Sequence, residues 1–477
     1  MVTDGIAAWE DTAEHLHVRL SDEYFKLEVG LQYSQKKISM LEKLNRQHSE
    51  LFLKNFASPR RLYLDSVSAI AKEKTHRFLL KLHELRKEKI CVRNIKFKDV
   101  PVCWTNWRQF AAQASDVNRK TVFDSFVKKT SAICGTISDF FEASRRIYAK
   151  YSLDPLAVYL EEHNMTVEQL RQTLSMLGTG VLPKFKAGFR KYSKKFLGRS
   201  PLYYDDFYFM RNVVFQDIAD DFKIDVKKKM FQSLSDLGFD PHKVTVDDTD
   251  RPQKFPSPFC SFVKIPEDVR VSYKMENPLN TLVALYHEFG HALHATNIDA
   301  ALPYHKKYLL SDGLTETFSI FFENLLSDEE YLVQVLELPR NYAAELVRRI
   351  QFTEYYAIAF YVANSLLKID QWEKNLTMKQ MNEQYSQYLK QWLGLDVPGQ
   401  YWQLHHILPE SLMYVPSYLL AMVRAHELTE LLRKEYGKWW WANKRAGEEI
   451  KAVMKQGADS SIGDFSKLDV ESYVRSL

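Results

Sequence analysis

The chain has 477 residues, 65 Lys and Arg against 61 Asp and Glu, a formal net charge of +4 and 45% hydrophobic residues. That length accommodates two or three domain-sized units or one large two-lobed body, and the balanced composition excludes a disordered or low-complexity polymer. So small a net charge gives no electrostatic footprint for nucleic acid, and only 16 Gly and 16 Pro are too few for many hairpins, so a mostly helical protein is expected.

The N-terminus, MVTDGIAAWEDTAEHLHVRL, carries acidic residues where a signal peptide would have a basic start and an apolar core. No run of 18 apolar residues occurs, so no membrane span is expected. Four cysteines (Cys91, Cys103, Cys134, Cys260) lie far apart with no CxxC pair, which fits unpaired thiols in a reducing, cytoplasmic setting. From Glu10 to about Arg93 apolar residues recur at helical spacing, for example Leu27, Leu31, Ile38, Leu41 and Leu44, with Pro59 as a break. Between Lys96 and Trp107 the period fades, and Pro101 marks a connection. Helical signals return from about Thr105 to Lys195, with a short helix opening at Thr166-Val-Glu-Gln. Lys184 to Arg199, with seven Lys and Arg, reads as a solvated helix face.

The aromatic-rich stretch Gly198 to Phe222 begins a second unit, giving a division into 1–200 and 201–477. Asp240 to Tyr273 is the least helical part; Val244-Thr-Val, Phe259 to Val263 and Val269 to Tyr273 predict a small β-sheet. From Asn277, an N-cap followed by Pro278, the chain is helical again, apart from a loop at Gly394 to Pro409. Trp439-Trp-Trp441 reads as a cluster sealing the C-terminal helix.

Chemistry concentrates between Asn277 and Leu326. Leu282, Leu285, Phe289 and Leu293 repeat at helical spacing around His287-Glu288-Phe289-Gly290-His291. Four residues are just over one helical turn, so both imidazoles leave one face and can bind one metal, with Glu288 beside them as general base. A lone His on an apolar helix is more often core than ligand, so a third donor is needed. Glu316 supplies it, early in a second helix that follows Ser311-Asp312-Gly313. Two His and one Glu leave a fourth zinc position open, as catalytic sites do. Asp312 and Glu323 are candidates to orient the imidazoles, and His294, close to one turn past His291, reads as supporting structure.

HEFGHALH at His287 to His294 and GLTETFSIFFENLL at Gly313 to Leu326 resemble the thimet oligopeptidase/oligopeptidase F (M3) family of zinc peptidases. The resemblance implies a mainly α, two-lobed gluzincin-type fold with a small sheet beside the zinc, whose edge strand pairs with peptide, and a deep channel. It also implies one zinc ion on His287, His291 and Glu316, and oligoendopeptidase action on short unstructured peptides. In YWQLHHILPESLMYVPSY at Tyr401 to Tyr418, His406 and Tyr418 best match the family's oxyanion-stabilising pair, with Tyr414 as substitute and His405 as neighbour. This block departs from the family in having Ile407-Leu-Pro-Glu-Ser-Leu-Met for a Gly-rich loop.

Two alternatives stay open. A carboxypeptidase or dipeptidyl carboxypeptidase, of the Taq or angiotensin-converting type, shares HExxH with a downstream Glu. It would need a cation for the substrate's free C-terminal carboxylate, with Arg424, Lys306, Lys307 and Arg349 as candidates. A non-catalytic scaffold would have lost one of His287, Glu288, His291 or Glu316, and none is missing.

Overall fold

The computed structural model describes residues 2–219, 222–251, 253–255, 257–274, 278–405 and 407–477. Three long helices open it: α1 (Val2–Glu28), α2 (Gln35–Asn55) and α3 (Arg60–Lys89). The leucine pattern expected over 27–44 spans a break, because Gly30 turns at φ 71° and the Ser34 side chain accepts from the Lys37 N–H to start α2. Ile38 and Leu41 are buried; Leu31 and Leu44 are exposed.

After α3 comes an antiparallel hairpin, β1 (Cys91–Phe97) and β2 (Val100–Cys103), where the sequence pattern shows only a connection. Its turn residues, Lys98 and Asp99, both take positive φ without a glycine to announce it. The hairpin register sets Cys91 opposite Cys103, and the two form a disulfide. This corrects the expectation of four unpaired thiols; Cys134 and Cys260 alone are free, and the cysteines cease to argue for a reducing compartment.

Helices α4 (Trp107–Gln113), α5 (Asp116–Lys129), α6 (Ser131–Ala149), α7 (Pro155–Glu162) and α8 (Val167–Leu197) follow. The signal at Thr166 is a full capping box with Gln169, yet it opens 31 residues of helix rather than a short one. Asp206 caps α9 (Phe207–Val213), and α10 (Val226–Asp236) leads into the sheet. There β3 (Val244–Asp247) runs parallel to β5 (Asp268–Ser272), and β4 (Phe259–Lys264) pairs antiparallel with β5, leaving β4 at an edge.

The rest is helical: α11 (Pro278–Thr296), α12 (Tyr304–Lys307), α13 (Asp312–Glu323), α14 (Glu329–Gln334), α15 (Arg340–Glu373), α16 (Met378–Leu393), α17 (Val415–Tyr436), α18 (Lys444–Met454) and α19 (Val470–Ser476). The protein is mainly α, 70% helix, with small sheets. Two large apolar cores result. One joins α4–α9 to α15, α16 and the start of α17; the other gathers the three-stranded sheet, α10, α11, α13, α14 and α18. Helices α15 and α17 feed both, through Phe360 and Leu419 in the first and Leu346 and Leu428 in the second. Trp440 and Trp441 are buried in the second core, against Phe321 and Tyr331. No described helix is long and apolar enough to cross a membrane.

Candidate metal centre

Helix α11 buries Leu282, Leu285, Phe289 and Leu293 and turns His287, Glu288 and His291 the other way. Gly290 lets α11 press directly on α13: a Cβ there would sit 2.5 Å from both the Phe318 carbonyl oxygen and the Ser319 Cα. Ser311 caps α13 by accepting from the Leu314 N–H, and the Gly313 N–H donates to Nε2 of the buried His163 at 3.1 Å. With α13 so seated, Glu316 faces both imidazoles.

Glu316 Oε2 lies 3.4 Å from His287 Nε2 and 3.7 Å from His291 Nε2, and the three ligand atoms fall within 4.8 Å of one another. His287 Nδ1 donates to Glu323 Oε2 at 2.9 Å, which fixes the tautomer that leaves Nε2 as a lone pair toward Glu316. Lone pairs of an imidazole and a carboxylate that face each other need a positive charge between them. The electrostatics agree. Burial alone would lower His287, but the Glu323 hydrogen bond and the charges of Glu316, Glu323 and Glu288 outweigh it and raise the imidazole to about 9. Burial likewise works to raise Glu316, and the His291 and His287 imidazoles with the Tyr414 and Ser319 hydroxyls hold it below the usual range. The donor set therefore fits a divalent first-row metal. The His287 side chain is 21% exposed, so solvent reaches the ligands.

Glu288 accepts the Cys260 backbone N–H of β4; burial, with Glu316 and Glu323, pushes its carboxyl up to about 7 against the pull of His287. On β4 the Phe262 carbonyl is bonded by His17 Nε2 of α1 at 2.8 Å, so α1 occupies part of the strand edge expected to receive peptide.

Tyr414 donates its hydroxyl to Glu316 Oε1. The Tyr418 ring stands 5.3 Å from that of Tyr414 and stacks on Tyr361 at 5.3 Å. His406 lies outside the described residues. His405 is buried; its Nδ1 accepts from the Ile407 and Leu408 N–H groups, and Nε2 points at the Tyr208 hydroxyl at 3.2 Å. Two buried basic side chains hold this loop by its carbonyls. Arg86 donates to those of Gln403 and His405 and pairs with Glu410, while Lys368 donates to that of Leu408 at 2.9 Å.

Of the proposed orienting acids, Glu323 contacts an imidazole, whereas Asp312 sits beside Glu316 and is pushed up to about 7 by burial and that charge. His294 packs its ring 4.3 Å from Phe318 rather than toward the metal. The four cations considered for a substrate carboxylate are all engaged. Arg349 pairs with Asp217 and Glu345, Arg424 with Glu427, Lys306 with Asp459 and Lys307 with Glu14. Tyr208, Tyr361, Ser319 and the Cys260 N–H escaped the sequence reading, since nothing in a helical or strand pattern distinguishes them from core.

Residues 210–373 match the family model described as Carboxypeptidase Taq (M32) metallopeptidase. The fold is similar to that of an M32 carboxypeptidase from Deinococcus radiodurans R1 (TM-score 0.63, 15% identity, covering 98% of this chain and 96% of that one). It is also similar to that of Trypanosoma cruzi metallocarboxypeptidase 1 (TM-score 0.59, 16% identity, covering 98% of both chains). No curated protein sequence matches. The triad and Glu288 all lie inside the matched stretch, and the chain is a peptide-hydrolysing enzyme of the metallopeptidase class.

These findings overturn the resemblance to the M3 oligopeptidases: both the family model and the neighbouring structures are M32. The physical reason is that HExxH with a downstream Glu is what a His/His/carboxylate metal site demands of two helices, so unrelated substrate specificities share it.

Proposed function

We propose that the chain is a zinc metallocarboxypeptidase that removes residues from the free C-terminus of short peptides. The observation that carries this reading is the convergence of His287, His291 and Glu316 beside Glu288, within the stretch that matches the carboxypeptidase family model. A zinc ion held by the three donors would acidify water and polarise the scissile carbonyl. Glu288, poised near neutrality by burial, takes a proton from the attacking water and delivers it to the leaving amine. Tyr414, already aimed at Glu316, and Tyr418 beside it are the hydroxyls we propose for the oxyanion that develops on the substrate carbonyl. Peptide would enter a channel between an N-terminal helical lobe (1–200) and the catalytic lobe (201–477).

The test is mass spectrometry of peptides with free or amidated C-termini, using metal-loaded protein and the Glu288→Gln variant. Stepwise loss of C-terminal residues from free peptides, absent in the variant although it still binds zinc, is expected. Cleavage of free and amidated peptides alike would overturn the carboxypeptidase assignment.

A further inference from the structure

We propose that Arg108 and Arg211 form the subsite that binds the C-terminal carboxylate of the peptide. The inference rests on the carboxypeptidase reading above and supplies the group that reading requires. Both side chains are exposed, and among the described residues neither has a carboxylate within 4.0 Å. In this they differ from the four cations that the sequence put forward, each of which is paired with an acid. An unpaired guanidinium keeps its fork of donors for a planar carboxylate, which it can grip with two parallel hydrogen bonds.

Their position follows from the elements that carry them. Arg108 belongs to α4, and its Cζ lies 4.1 Å from the centre of the Tyr208 ring on α9. Arg211 lies three residues beyond Tyr208 on the same short helix, hence on the same face. From there a wall of tyrosines runs to the metal ligands. Tyr361 packs against Phe207 of α9 at 6.0 Å and stacks on Tyr418, Tyr418 meets Tyr414, and Tyr414 bonds to Glu316. Tyr361 thus stands between the two ends. Burial raises its hydroxyl, and it feels Arg211 and Arg108 from one side of the charge balance and Glu316 and Glu323 from the other. Two ring-to-ring steps of 5.3 Å separate Tyr361 from Tyr414.

An incoming carboxylate is attracted toward the two arginines, so the peptide lies with its C-terminus at the α4–α9 end.

The experiment uses the full-length zinc-loaded protein. A peptide with a free C-terminus and its amide are compared, both as substrates and, on a Glu288→Gln background, as ligands by calorimetry. Arg108→Gln and Arg211→Gln are expected to raise KM, and to weaken binding, by about tenfold or more for the free acid, with kcat largely retained and the amide little affected. Arg→Lys at either position should restore part of the loss, since charge returns without the fork. Variants that lose thermal stability yet keep the parent's preference for free acid over amide would show that the arginines only cap Tyr208, which overturns the proposal and leaves the carboxypeptidase reading standing. A parent enzyme that does not distinguish acid from amide would sink both.

Discussion

The close approach of α11 to α13 at Gly290 is the feature on which the metal triad most directly depends. Replacing Gly290 with Ala sets a methyl group 2.5 Å from two backbone atoms of α13, the Phe318 oxygen and the Ser319 Cα. Neither can rotate away as a side-chain tip could. Ordinary contact begins near 3.4 Å, so the helices must part by about 0.9 Å (3.4 − 2.5). Overpacking of this kind costs about 1–3 kcal/mol, offset in part by the roughly 1 kcal/mol by which Ala is the better helix former. Global stability should therefore fall only modestly. Metal binding should suffer more, because Glu316 sits two residues before Phe318 while ligand distances tolerate only about 0.2 Å of error. We expect zinc affinity, measured by competition with a chromogenic chelator, to fall at least tenfold in Gly290→Ala. Gly135→Ala serves as control, since nothing lies within 4 Å of a Cβ built there. Unchanged zinc affinity in a folded Gly290→Ala protein would refute the idea that this contact sets the ligand geometry.

Glu323→Ala should weaken zinc binding about 10- to 100-fold without unfolding the protein, because His287 loses the acceptor that fixes its tautomer; equal affinity by the same competition assay would show that the contact is idle. Tyr414→Phe should lower kcat by roughly 10- to 1000-fold with zinc content intact, and a rate within twofold of the parent would remove Tyr414 from the mechanism. His163 supplies a pH signature. Burial lowers its imidazole to about 4 from the ordinary 6.5, so the unfolded chain takes the proton first. Its contribution is complete above pH 6.5 and is lost as pH falls toward 4, at about 1.4 kcal/mol per unit and roughly 3 kcal/mol in all. Urea midpoints at pH 7 and 5 should converge more in His163→Gln than in the parent; identical slopes would contradict this.

Much of the helical framework was legible because its signals are local. The cap at Thr166 and the apolar repeat of α11 and α13 each reside within a few residues. So did the three short strands between Asp240 and Tyr273. The hairpin at Cys91–Cys103 was not legible, since its turn is made by Lys98 and Asp99, which seldom adopt positive φ together. The disulfide went with it, because only the hairpin register brings those two residues opposite each other.

By itself the sequence supplied the candidate donors of the centre: His287 and His291 stand one helical turn apart with Glu288 beside them, a spacing that α11 alone sets, whereas Glu316 on α13 joins them only when the two helices pack. Tertiary structure decided what the donors face. Whether Arg349 is free or paired, which tyrosine reaches Glu316, and whether Arg108 lies over Tyr208 all depend on contacts between segments roughly a hundred residues or more apart. No local spacing encodes such contacts. They arise only when α4, α9, α13, α15 and α17 pack around their two shared cores.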